Sequence, residues 1–179
     1  VTESFSLLTY RTGDATCPEG DGPKIIAHVC NDVGAWGRGF VVALSRRWPQ
    51  PEKQFRCWWE HRDSLYLPLG QVQLVEVEEL TWVTNMIGQR GIYGTDGRPP
   101  IRYEALSECL GRVREYALAR NASVHMPRIG CGLAGGDWAK VRPLIVEQLC
   151  DHHVPVTVYD LGEEPAAARR RSSTRGRWA

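Results

Sequence analysis

The sequence predicts an α/β fold in which strands and helices alternate and a sheet is covered on both faces. Three observations carry this expectation. Residues 24–30 (KIIAHVC) form a near-continuous apolar run of strand length, the mark of a strand buried on both sides. Residues 103–120 place Leu106, Leu110, Val113 and Ala117 on one helical face. Two glycine-bearing loops, residues 31–39 (NDVGAWGRG) and 128–136 (RIGCGLAGG), each follow a strand and precede a helix.

The elements follow in order. Residues 5–11 read as a first strand stopped by Gly13-Asp14, and residues 24–30 as the second. After the first glycine loop, residues 40–47 read as a short helix ended before Pro49, and residues 51–61 (PEKQFRCWWEH) as another. Residues 70–77 (GQVQLVEV) alternate as a strand, and residues 80–87 form another. Residues 88–100 (GQRGIYGTDGRPP) are a long Gly- and Pro-rich loop. The helix at 103–120 leads to a short strand at 123–126 and the second glycine loop. Asp137 is placed to cap a helix that buries Trp138, Val141, Ile145 and Leu149. Val154, Val156 and Val158 alternate through a last strand, and no internal repeat is present.

The chain of 179 residues suits one domain of residues 1–161 with a short extension at 162–179. Its formal charge of +1 conceals a division: the extension holds five arginines and two glutamates, leaving 17 basic and 19 acidic residues before it. The body is therefore no basic nucleic-acid module, and only the Arg-rich tail, expected to be flexible, has the charge for such a partner. No apolar run approaches the ~20 residues of a membrane span, and no secretory leader opens the chain. The six cysteines are scattered without a C-x-x-C pair, which fits free thiols in a reducing cytoplasm and no metal; a monomer is expected.

In an open α/β sheet, loops after parallel strands gather at the strands' carboxyl ends, where ligands bind. Glycines let a backbone approach a ligand closely, and helix N-termini offer unsatisfied N–H groups to anions. The matched pair of loops thus points to a phosphate-bearing ligand. No G-x-x-x-x-G-K-[ST] is present, residues 34–39 (GAWGRG) do not make G-x-G-x-x-G, and no serine sits in a G-x-S-x-G elbow.

Tyr10-Arg11-Thr12-Gly13-Asp14, Ile26-Ala27-His28-Val29-Cys30-Asn31, Gly37-Arg38-Gly39 and Met126-Pro127-Arg128-Ile129-Gly130-Cys131-Gly132-Leu133 resemble the macrodomain family over about 155 residues. The resemblance is nearest to the branch of terminal ADP-ribose protein glycohydrolase and the macrodomain of the liver-cancer-amplified chromatin remodeller. It implies a three-layer α/β/α domain with a mixed, mostly parallel sheet that binds ADP-ribose, without a cofactor, along one edge. Asp14, with Ala15 beside it, would meet the adenine; Asn31 would lie near the distal ribose. Gly37, Arg38 and Gly39 would approach the diphosphate from one side, with Trp36 in a loop that closes over the ligand. Gly130, Cys131, Gly132 and Leu133 would close the other side through backbone N–H groups. Tyr159, late in the last strand, is placed either to stack on adenine or to fill the core.

The chain departs from the family where catalysis is concerned. The glycohydrolases of the nearest branch use a lysine before the long loop and an aspartate after G-C-G-L; here Gln89 and Arg90 stand in the first stretch and Ala134 in the second. No lysine lies between Lys53 and Lys140, which excludes a covalent lysine mechanism. Hydrolysis of an ester between ADP-ribose and Glu or Asp survives this loss, because a carboxylate of pKa about 4 leaves with little acid help. Asp32, Gln89 and Arg90 are the candidates for orienting the water, the ribose or the modified chain. The alternatives are a reader module that binds ADP-ribose without cutting it, or an enzyme acting on free derivatives such as ADP-ribose 1″-phosphate. The expected partners are ADP-ribose or mono-ADP-ribosylated proteins.

Overall fold

The computed structural model describes residues 6–162. Phe5 and residues 163–179, nearly all of the arginine-rich tail, lie outside the described residues. The elements are β1 (Leu8–Thr12), β2 (Lys24–Asn31), α1 (Phe40–Arg47), α2 (Gln50–Glu60), β3 (Val72–Glu78), β4 (Thr81–Gln89), α3 (Tyr103–Arg120), β5 (Ser123–Met126), α4 (Trp138–Gln148) and β6 (Val156–Asp160). A single 3-10 turn, Cys150–His152, follows α4. The strands form one sheet in the order β1-β6-β5-β2-β4-β3. All neighbours are parallel except the β3–β4 hairpin, whose turn places Leu80 at a φ of 56°.

Alternation along β2 explains the layers. Ile25 and Ala27 join Leu106, Leu110 and Val113 of α3 and Val141 and Ile145 of α4 in one core. Ile26 points the other way, into a cluster with Leu44 and Trp48, and Cys30 meets Phe55 of α2. Thus α3 and α4 cover one face and α1 and α2 the other, the expected three layers. Each such fully buried aliphatic side chain contributes roughly 1.5–3 kcal/mol.

The helices end where local chemistry requires. Asp137 caps α4, its side chain accepting a 2.9 Å hydrogen bond from the Ala139 N–H. Asn121 closes α3 in the left-handed region, its N–H reaching the Ala117 and Leu118 carbonyls. Pro49 follows directly on the C-cap of α1, so one helix stops and the next begins within two residues.

Polar groups are also built into the sheet. His28 lies buried on β2 with Nε2 2.6 Å from Asn85 Oδ1, while Asn85 Nδ2 donates to the Pro51 carbonyl and Gln73 Oε1. On β5, His125 links Ser123 Oγ at 2.8 Å to the Tyr159 hydroxyl at 3.0 Å. Burial pushes both histidines down to about pKa 4; the Lys24 charge adds to this at His125, and the Asn85 hydrogen bond opposes it at His28.

Candidate functional site at the carboxyl edge of the sheet

The parallel strands deliver their carboxyl ends to one edge. Thr12 of β1 lies opposite Asp160 of β6, Met126 of β5 opposite Val158, and Asn31 of β2 opposite Gln89 of β4. Four connections leave this edge: residues 13–23, 32–39, 90–102 and 127–137. Every site residue expected from the sequence lies on one of them or at the strand end feeding it.

The first glycine loop is braced from within. Asn31 Oδ1 accepts the N–H groups of Val33 and Ala35, and its Nδ2 donates to the Ala35 carbonyl at 2.8 Å. Asn31 is therefore a turn-builder in this structure. Gly34, at a φ of 72°, faces the Trp59 indole so closely that any Cβ would run into the ring. Trp36 packs inward: its Nε1–H donates to Ser45 Oγ at 2.8 Å, and its ring stands edge-on to His28 and tilted against Phe55. That position joins it to the core beneath the loop. Gly37, Arg38 and Gly39 are exposed, and Gly39 begins α1 at a φ of 76°.

The second glycine loop opens on Arg128, whose Nε and Nη2 reach the two oxygens of Asp160 at 2.5 and 2.8 Å. The guanidinium also lies over the rings of Tyr10 and Trp138, at 5.4 and 5.0 Å. Gly130, at a φ of 70°, passes so close to Ile101 that a Cβ would lie 2.9 Å from its Cδ1. The loop closes on itself through Gly136 N–H to the Gly130 carbonyl at 2.7 Å and Gly135 N–H to the Gly132 carbonyl at 3.0 Å. Partial burial raises the Cys131 thiol above its ordinary value, which keeps it protonated and poorly nucleophilic.

The two loops come close to one another. A methyl at Gly39 would sit 3.6 Å from Leu133 Cδ1, although the Leu133 side chain remains largely exposed. Between them, the N–H groups of Gly37, Arg38, Gly132 and Leu133 have no acceptor among the described residues. Such donors on opposed loops match an anion that bridges them.

At the β1 end, Asp14 is exposed and uses Oδ1 to hold the Thr16 N–H and hydroxyl at 2.8 and 2.9 Å. Ala15 and Thr16 are buried beneath that turn. Tyr159 is buried too, and its hydroxyl accepts the Glu19 N–H at 2.9 Å. Of the two placements expected for Tyr159, the structure selects the core.

At the β4 end, Asp32 is fully buried. Its Oδ1 accepts the Gly91 N–H at 2.7 Å, and its carbonyl accepts the Leu67 N–H at 2.9 Å. Its Oδ2 lacks a hydrogen bond of good geometry but stands 2.8 Å from Arg90 Nη1, an ion pair. Arg90 is 44% exposed at its side chain and lies over the Tyr66 ring at 5.0 Å. Gln89 Nε2 donates to the Gly91 carbonyl at 2.9 Å. The three catalytic candidates thus converge on one corner, but Asp32 fastens its neighbours and presents no free carboxylate to a water.

Sequence reasoning missed Tyr66, Gly91, Asp160 and the Thr16 hydroxyl. Each is brought in by strand order or loop folding, and only a neighbouring charge or hydroxyl could have hinted at it. Among the described residues, no group of three His, Cys, Asp or Glu side chains could hold a metal ion, and no helix is long and apolar enough to cross a membrane.

No protein-family model matches the sequence. The fold superposes on a macrodomain protein from Streptomyces coelicolor with a TM-score of 0.76, 54% identity, and coverage of 87% of this chain and 99% of that one. DarTG of Thermosipho africanus, solved in complex with ADP-ribose, superposes with a TM-score of 0.64 at 20% identity, covering 81% of this chain and 40% of that one. In sequence, the chain is 31% identical over 163 residues to chromodomain-helicase-DNA-binding protein 1-like from Danio rerio, matching 86% of this chain but spanning only 16% of that protein. It is 22% identical over 157 residues to ADP-ribose 1″-phosphate phosphatase from Candida albicans, covering 79% of this chain and 93% of that enzyme. With the three-layer fold, the mixed sheet and near-complete overlap with a 54% identical macrodomain protein, the chain belongs to the macrodomain family.

Proposed function

We propose that this macrodomain binds ADP-ribose across the two glycine loops and hydrolyses the ester linking ADP-ribose to Glu or Asp side chains of mono-ADP-ribosylated proteins. The observation that carries the reading is the opposition of residues 37–39 and 130–133, where the N–H groups of Gly37, Arg38, Gly132 and Leu133 lack acceptors among the described residues and suit a diphosphate. Relatives support it: one similar structure holds ADP-ribose, and one similar enzyme is named for an ADP-ribose derivative. In this reading adenine lies toward Asp14 and Ala15, and the distal ribose toward Asn31, Gln89 and Arg90.

The chemistry balances without a covalent intermediate. The oxygen of a water forms a bond to the anomeric carbon while the bond from that carbon to the ester oxygen breaks. The electron pair leaves with the carboxylate, and the water's proton passes to solvent, because a carboxylate of pKa about 4 stays ionised near neutral pH. Gln89, fixed through its Nε2, has an Oε1 with no partner among the described residues and serves as the acceptor that orients the water. Asp32 is the positioning residue for Gly91 and Arg90. An ADP-ribosyl-arginine would lose a far more basic group and finds no acid here. The protein acts as a monomer in the cytoplasm in this reading.

A second reading, hydrolysis of free ADP-ribose 1″-phosphate, is favoured by the similarity to the yeast phosphatase. One set of assays tests both. A target ADP-ribosylated on glutamate and ADP-ribose 1″-phosphate are incubated with the protein, product is followed, and ADP-ribose binding is measured by calorimetry. Faster release of ADP-ribose from the glutamate target than in buffer is expected. Tight binding without release from either substrate makes the domain a reader, and no binding overturns the whole proposal.

A further inference from the structure

We infer that Arg90, held by the buried Asp32, reads negative charge at the anomeric end of the ligand, so that the site selects ADP-ribose whose leaving group is, or becomes, an anion. The inference rests on the ADP-ribose reading and names the substrate class within it: carboxylate esters and the 1″-phosphate, to the exclusion of guanidine-linked ADP-ribose.

Asp32 is the starting point. A fully buried carboxylate beside a crevice that takes a diphosphate would repel its ligand and is costly to keep charged alone. Gly91 N–H and Arg90 Nη1, 2.7 and 2.8 Å from its two oxygens, neutralise it. The same contacts fix the guanidinium. It is pinned on one side by Asp32 and lies over the Tyr66 ring, while nearly half of the side chain stays exposed. Apart from the Asp32 contact, none of the guanidinium N–H groups meets an acceptor among the described residues.

Position completes the argument. Arg90 directly follows Gln89, the register partner of Asn31 at the carboxyl edge, and Asp32 belongs to the first glycine loop. The cation therefore stands where the β2 and β4 ends meet, on the opposite side of the first loop from Asp14. A guanidinium fixed before the ligand arrives stabilises charge without reorganising, and its planar fork suits carboxylate or phosphate oxygens. On an ester, which is neutral before reaction, Arg90 acts on the developing carboxylate and so on kcat. On a 1″-phosphate, which is charged throughout, it also strengthens binding. A guanidinium leaving group meets like charge and is rejected.

Binding and turnover test this separately. Calorimetry compares ADP-ribose with ADP-ribose 1″-phosphate, for the wild type and for an Asp32→Asn, Arg90→Gln double variant that leaves no unpaired charge in the core. The wild type is expected to prefer the phosphate by about tenfold. The double variant is expected to lose that preference, the 1″-phosphate weakening by about tenfold more than ADP-ribose. On a glutamate-linked target, Arg90→Gln lowers kcat by about tenfold or more with little change in KM, and Arg90→Lys restores part of it. No preference in the wild type, a preference that persists in the double variant, or an equal loss for both ligands overturns the assignment while leaving the ADP-ribose reading standing. Failure to bind either ligand overturns the ADP-ribose reading and this assignment with it.

Discussion

Arg128 and Asp160 form a two-pronged ion pair across the carboxyl ends of β5 and β6, with the guanidinium over the rings of Tyr10 and Trp138. Four elements meet there: β1, β6, the start of the second glycine loop and the start of α4. Arg128 opens that loop, while Trp138 lies two residues past its end, so the pair anchors both ends of the backbone that offers the Gly132 and Leu133 N–H groups. The mutual hydrogen bonds lower the Asp160 carboxyl and raise the Arg128 guanidinium from their ordinary values.

Asp160→Asn is expected to weaken ADP and ADP-ribose binding alike, on the order of tenfold, because the loop acts on the diphosphate they share. Stability should change little, since exposed ion pairs contribute at most about 1 kcal/mol. Calorimetry with both ligands beside a thermal melt separates the two effects; unchanged affinity would show that the loop holds its shape without the pair.

Gly34→Ala should destabilise the fold by about 3 kcal/mol, since the residue needs a left-handed φ and a Cβ would strike the Trp59 ring. Urea denaturation measures it. A second substitution, Trp59→Ala, should make Gly34→Ala less costly by relieving the clash, leaving only the backbone strain.

Stability should fall as the pH drops from about 6.5 to about 4. His28 and His125 are buried neutral with pKa values near 4, while in the unfolded chain they titrate near 6.5, so the unfolded state gains protons first as the solution is acidified. Each contributes roughly 3 kcal/mol that is fully present above pH 6.5 and lost as the pH falls to 4. Urea midpoints across this range should show the loss, and His28→Gln should remove about half of its pH dependence. A flat profile between pH 7 and 4.5 would contradict both assignments.

Asp14→Ala should weaken ADP-ribose binding by about 1–3 kcal/mol if its carboxylate meets the adenine amino group. Part of that loss would come from the turn, because Oδ1 holds Thr16. The hypoxanthine analogue, which lacks the amino group, isolates the contact. The variant should lose clearly less affinity for the analogue than for ADP-ribose; a variant equally impaired for both ligands would reduce Asp14 to a turn-former.

Cys131→Ala should leave ADP-ribose affinity and any turnover within about twofold, because the loop presents N–H groups and its thiol is held protonated. Abolished turnover with intact binding would reinstate the cysteine as a nucleophile.

The elements themselves could be read from the chain because each is written in local chemistry. The period of apolar residues marks β2 and α3, Asp137 announces α4, and Pro49 separates α1 from α2. Boundaries shifted by a few residues where strand pairing extended the pattern, as β4 did by running on to Gln89. The two glycine loops were likewise visible as sequence, since glycine is demanded by the backbone at those points.

The use of individual side chains was hidden, because it depends on neighbours far along the chain. Asp32 reads as a loop carboxylate free to hold water, but the packing of residues 67 and 91 around it turns it into a buried fastener for Arg90. Trp36 reads only as a loop residue near the ligand until α1 and α2 place Ser45 and Phe55 against its ring. Arg128 and Asp160 become partners only when β5 and β6 pair in parallel, and strand order is a property of the assembled sheet. The chain alone therefore established the family resemblance, the succession of strands and helices and the anion-seeking loops. The assembled fold determined which charges are neutralised and which remain to meet a ligand, because burial and pairing belong to surfaces that exist only once distant segments have packed.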